Sequence, residues 1–289
     1  VLIFIKDRGI NNMGIEFRNV KSTDLGLIVK TVSLELLPKA KTSIQSALNR
    51  DGSYDFSNVN EDGRIHYEDR VFQFKISLIR NTRVNIQKAF SKMIGWLYGD
   101  FGPLELDDMP NIIWVAKLEN AEKISQEFIH AGEANIYFRV KPFAKSTVNT
   151  YSNVKLNSNL LLGSNYKIGG VIKDYTYSIG TSTKLNINNI GTWYTKPRFK
   201  VTGTYTYVEI KNKYNKSFKY FGGSVENIID IDFDTNFITK DNIPINDKAI
   251  GLGWEFTSGI NETTFLTDGV NVKVMLYMDY YYLFGEVEV

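Results

Sequence analysis

Between Phe72 and Leu78 the chain alternates: Phe72, Phe74, Ile76 and Leu78 are apolar, and Gln73, Lys75 and Ser77 between them are polar. Successive side chains of an extended strand point to opposite faces, so this spacing predicts a half-buried strand. A few residues later the period changes. Ile86, Phe90, Met93, Ile94 and Leu97 line one stripe of a helix, with Gln87, Lys88, Ser91 and Lys92 on its wet face. Gly99, Gly102 and Pro103 supply a glycine-then-proline stop, so one helix is expected over about Val84 to Tyr98. Ile112 to Leu118 and Ala134 to Val140 return to strand composition, with Ile136, Phe138 and Val140 opposite Asn135, Tyr137 and Arg139. The first half therefore reads as a sheet with a packed helix.

After Pro142 the pattern shifts. Residues 146 to 165 are rich in Ser, Asn and Thr, as a connection would be, and a domain boundary is expected near residue 145. Beyond it, short β-branched and aromatic runs are punctuated by Gly169-Gly170, Gly191, Gly203, Gly222-Gly223, Gly259 and Gly269, the rhythm of an antiparallel sandwich or barrel. Val272, Val274, Leu276 and Met278 form a late strand. The expected fold class is mainly β, in two domains, 13–145 with the helix and 146–289 as a β-sandwich. The length of 289 residues is enough for two cores. Residues 1–12 read as an upstream extension, because Met13-Gly14-Ile15-Glu16-Phe17 resembles the opening of a first strand.

Several function classes are disfavoured by composition. Cysteine is absent, which removes disulfides, thiolate zinc sites and cysteine nucleophiles. A net charge of +2 without a Lys/Arg run offers little to a phosphate backbone, so nucleic acid is not an expected partner. No apolar stretch approaches the roughly 20 residues that cross a bilayer as a helix, and no membrane insertion is expected.

The search for chemistry is equally spare. His66 and His130 lie far apart and outside any HExxH arrangement, and no GxSxG elbow is present, so neither a catalytic metal nor a triad is expected, nor any cofactor. Gly163 to Gly170 lacks the closing Gly-Lys-Ser/Thr of a phosphate loop. Asp230, Asp232 and Asp234 would share one strand face; they could bind calcium, but a solvated face explains them without a metal. Aromatics are concentrated at Trp193, Tyr194, Tyr205, Tyr207, Tyr214 and Tyr220. Trp193, Tyr205 and Tyr207 are the candidates for stacking on a glycan, against the alternative that they fill a core or an interface.

A resemblance carries the reading further. Met13 to Phe17 followed by Ser22-Thr23-Asp24-Leu25-Gly26-Leu27, and then Asn49-Arg50-Asp51-Gly52-Ser53-Tyr54-Asp55-Phe56, resemble the opening of the siphophage distal tail protein family and its G-R-D-G-x-Y-D segment. Asn49 stands where that family has glycine, and Asn is the best substitute at positive φ. Asn189-Ile190-Gly191-Thr192 before Lys196-Pro197, and Phe265-Leu266-Thr267-Asp268-Gly269-Val270-Asn271, are similar to later turns of the family in the same order. The resemblance implies a structural protein and not an enzyme. Six copies of an N-terminal β-sandwich-like domain with its one helix would form a ring between the tail tube protein and the tail-tip hub protein, with a galectin-like β-sandwich as second domain outside the ring. It further implies a place at the virion tail tip or baseplate after synthesis in the host bacterial cytoplasm, near receptor-binding proteins or host surface glycans. Arg50, Asp51, Gly52 and Tyr54 become the candidate ring-interface turn. The alternative function is a carbohydrate-binding tail module.

Overall fold

The computed structural model describes residues 14–46, 48–49, 51–57, 64–78, 83–119, 124, 128, 132–147, 175–214, 216–222, 227–251 and 253–283. The start at Met13, Arg50, His130 and the Gly163 to Gly170 turn lie outside them. The protein is mainly β and separates into two compact units, one holding the described residues of 14–144 with Leu283 and the other those of 145–282.

The first unit is built on one antiparallel sheet. Its main path runs Val20–Lys21, Ile15–Phe17, Gly102–Leu106, Met109–Leu118, Glu133–Val140, Arg70–Leu78 and Leu27–Leu34. The alternation read at Phe72, Phe74 and Ile76 sets the register. These side chains are fully buried and pair across the ladder with Phe138, Ile136 and Ala134. The helix Arg83–Leu97 lies on this face, with Met93 and Leu97 in the core and Ile86, Phe90 and Ile94 packed against it. Each such side chain contributes about 1.5–3 kcal/mol on burial. Trp96, outside the stripe read from sequence, is also buried, and its indole N–H donates to the carbonyl of Phe17 at 2.8 Å. Ile124 and Phe128, four residues apart and in helical backbone, join the same core, a contribution that too few apolar neighbours announced in the sequence.

The helix end is shaped by Arg18. Arg18 and Asn19 have φ of 52° and 62°, the two left-handed positions of a tight hairpin between Phe17 and Val20. The Arg18 guanidinium then donates to the carbonyls of Tyr98 and Asp100, placing a cation where the helix dipole is negative. A Cβ on Gly99 or Gly102 would displace the Arg18 side chain that packs over both, and Gly99 also has φ 135°, so they do more than stop the helix.

The second unit comprises two antiparallel sheets over one core. One is ordered Thr176–Ile179, Val270–Tyr277, Arg198–Thr204, Asn227–Asp232, Phe237–Lys240 and Ile243–Pro244; the other Ser182–Asn189, Gly259–Thr267, Tyr207–Asn212, Ser217–Phe221 and Ala249–Ile250. Phe199 of the first sheet meets Phe265 of the second edge-on at 5.7 Å, and Trp254, Phe233 and Phe218 close the same aromatic centre. Pro244 sits on an edge, where its missing N–H costs no ladder bond.

Candidate functional site

The turn singled out in the sequence becomes the tip of a separate hairpin. Ile44–Ser46 pairs with Ser53–Asp55 in a two-stranded sheet of its own, with Gln45 opposite Tyr54. Asn49 and Gly52 take φ of 68° and 81°, the left-handed backbone that turns the chain at the tip. The root is tied by the Ala40–Tyr67 bridge, by Lys41 N–H to His66 O at 2.7 Å and by Glu68 N–H to Lys39 O at 2.8 Å. Next to the root, Ser57 locks the return: its N–H donates to the Asp55 carboxylate and its hydroxyl accepts from Ser43 N–H, both at 2.9 Å. The Ser57 bonds hold the Asp55 carboxyl below its ordinary pKa.

Every described residue of the two short strands is exposed, and the apolar ones are large. Leu48 is 97% exposed at the tip, Ile44 60%, and the stacked rings of Tyr54 and Phe56, 6.0 Å apart, are each 43% exposed. Tyr54 and Phe56 share one face of the hairpin and Ile44, paired with Asp55, lies on the other; a lone two-stranded hairpin is marginal in water, and this much exposed apolar surface on it is uncommon on an isolated soluble surface. Asp51 and Gly52 are exposed beside them. At the root, Lys41, Thr42, Ser43, Phe56, Ser57 and His66 line an open cleft of about 330 Å³. The chemistry there is that of contact: polar backbone edges, hydroxyls and rings.

The three candidate glycan aromatics are not brought together as a platform. Tyr205 is only 2% exposed, with its ring edge-on to Tyr220 in the core at 6.4 Å, so it offers no face to a sugar; burial raises its phenol well above the usual range. Its neighbour Tyr207 is half-buried on the opposite, solvent side of the sheet, directly across from Phe221. Trp193 is half-buried elsewhere, its ring edge-on to Tyr194 and its backbone N–H donating to the carbonyl of Tyr281 at 3.1 Å. Asp230 is 3.1 Å from the Arg198 guanidinium, while Asp232 accepts from the N–H groups of Asp234 and Thr235 at a turn. Among the described residues no group of three or more His, Asp or Glu is placed to hold a metal, and no helix is long and apolar enough to cross a membrane.

The turn phrases have definite mechanical work. The buried Ser22 hydroxyl accepts Ile15 N–H at 3.2 Å, and Gly26, φ 70°, closes the short 3-10 turn Ser22–Leu25. Asn189 is buried and holds Trp193 O, Thr257 O and Gly191 N–H, while a Cβ on Gly191 would stand 2.6 Å from Tyr281 O. The Asp268 carboxylate accepts Thr206 and Tyr207 N–H at 2.9 and 3.2 Å, and Asn271 has φ 57°.

Sequence reasoning passed over Arg70. It is fully buried, stacks 4.8 Å over the Trp114 ring and donates to the carbonyls of Leu36, Pro142 and Leu283. Burial pushes its guanidinium down to about 10. It continues the inward parity of Phe72, Phe74 and Ile76.

No family model and no curated protein matches the sequence. Among solved structures, the chain is similar over 94% of its length, and over 99% of the other chain, to the Dit protein (gp 19.1) of SPP1, described as a paradigm of the hub adsorption apparatus in phages that infect Gram-positive bacteria. The TM-score is 0.63 at 10% sequence identity, so what the two share is the fold.

Proposed function

We propose that the chain is a distal tail protein: a structural ring subunit of about six copies that joins a tail tube protein to the tail-tip hub protein and adsorption apparatus of a phage or phage-like particle. The observation that carries this reading is the fold likeness to SPP1 Dit, which runs through both units and not one alone. Residues 13–145 form the ring in this proposal, and 146–289 are a galectin-like sandwich outside it. The chain works at the virion tail tip or baseplate, after synthesis in the host cytoplasm, and catalyses no reaction.

The hairpin gives the ring its contact. Its exposed Ile44, Leu48, Tyr54 and Phe56 would be covered by neighbouring copies, and Asn49 and Gly52, both at positive φ, set the turn that presents them, with Asp51 and Arg50 as the proposed contact residues of that turn. An exposed edge with apolar side chains is a liability in a monomer and an asset in a closed ring. The test is the solution mass of the intact chain beside a Tyr54→Ser/Phe56→Ser variant. A ring for the parent and smaller species for the variant are expected; rings of equal mass and strength would remove the hairpin from the interface.

A further inference from the structure

The solvent face of the sheet that carries Tyr207 holds a concentration of cations that net charge conceals. The hairpin formed by Tyr207–Asn212 and Ser217–Phe221 bears Lys211, Lys213, Lys216 and Lys219, and Lys184 stands in the same cross-strand row as Lys211, joined through Thr264. Among the described residues, the carboxylates of Glu209 and Glu262 stand on the same sheet face as these lysines. Glu209 lies 3.3 Å from Lys211 and 3.9 Å from Lys219, and Glu262 is exposed two residues from Thr264 on the same strand. Asp268, near Tyr207, is already engaged by Thr206 and Tyr207 N–H. Lys216 donates its ammonium to Gly253 O at 3.2 Å, a neutral acceptor that adds no counter-charge.

The rings among these lysines decide what the face can recognise. The Lys219 ammonium is 4.9 Å from the centroid of Tyr207 and 4.9 Å from that of Phe221; Lys213 is 5.0 Å from Tyr214. An ammonium held on ring faces has lost part of its freedom before any ligand arrives, which favours an anion. The same ammonium covers the surface on which a nucleobase would stack, the main source of affinity for single strands. The cations extend from the Lys184 strand to the Lys211 strand, roughly 10 Å, a spread suited to repeated anions and not to one small ion.

We propose that this face binds a phosphodiester-linked polyol or sugar polymer through its phosphates. That such a polymer is what the protein meets rests on the tail-tip reading above; the preference for anions without bases rests on the lysine and ring geometry alone. The experiment uses the intact chain, with poly(glycerol phosphate) as probe and dextran and oligothymidylate of equal charge as comparators, by calorimetric titration. Poly(glycerol phosphate) is expected to bind with an affinity that falls as salt rises, and dextran is not expected to bind. A Lys213→Gln/Lys216→Gln/Lys219→Gln variant with parental thermal unfolding should bind at least about tenfold more weakly, and Glu209→Gln more tightly. No binding, equal binding by the triple variant, or tighter binding to oligothymidylate overturns the proposal. The ring mass of the same sample separates the two readings: a ring that ignores the polymer removes this inference alone, and a polymer-binding chain that never forms a ring supports the face and removes the hub.

Discussion

At the residue scale, single side chains hold segments that secondary structure leaves unconnected. Arg70 satisfies three carbonyls at once, and a buried carbonyl stripped of its donor costs about 1–3 kcal/mol. Arg70→Met is therefore expected to lower stability by about 3 kcal/mol or more in urea unfolding, despite its similar volume. Gly191→Ala should cost about 2 kcal/mol or more, because the backbone of Tyr281 cannot yield to the new methyl as a side chain could. Alkaline stability belongs to the tyrosines. Burial raises Tyr205, Tyr281, Tyr177 and Tyr220, Tyr281 to about 12. Above the ordinary phenol pKa near 10 the unfolded chain loses protons that the folded chain keeps, so their contribution is complete below about pH 10 and is lost as pH rises through the folded values. Unfolding midpoints should fall between about pH 10 and 12, less steeply in Tyr205→Phe; an equal slope would show that Tyr205 titrates normally.

At the scale of elements, the helix packs by one stripe, and Trp96 adds a polar tether. Trp96→Phe keeps most of the apolar area but removes the indole donor from the Phe17 carbonyl, and a loss of about 1 kcal/mol in chemical denaturation is expected. The helix was legible because five apolar residues repeat at helical spacing; Trp96 was not, because it sits beside that stripe and is drawn in by the hairpin that Arg18 and Asn19 turn. The strand at Arg70–Leu78 was legible from its parity between Phe72 and Leu78, but a charged residue does not extend an apolar alternation, so the inward position of Arg70 was not. The hairpin tip was legible through Asn49 and Gly52, whose backbone needs are local. Its isolation from the main sheet was not, since pairing depends on distant residues. Tyr205 and Tyr207 look alike in sequence, and a two-residue spacing along one strand would put them on the same face, yet the bend at Thr206 breaks that parity and leaves Tyr205 in the core and Tyr207 half-buried on the solvent side. The lysines of 211–219 escaped notice because they are interleaved and gather on one face only when the hairpin folds.

At the scale of the molecule, a unit of one main sheet with a packed helix and a unit of two sheets over one core present surfaces of different chemistry to solvent. The first unit extends an apolar hairpin, and the second shows a cationic sheet face. The fold likeness to SPP1 Dit spans both units, so the account stands or falls on assembly. Native mass spectrometry of the purified chain across a range of concentrations tests this most directly. A closed ring of about six copies is predicted, breaking down in the Tyr54→Ser/Phe56→Ser variant; a monomer or an open-ended filament at every concentration would contradict the account.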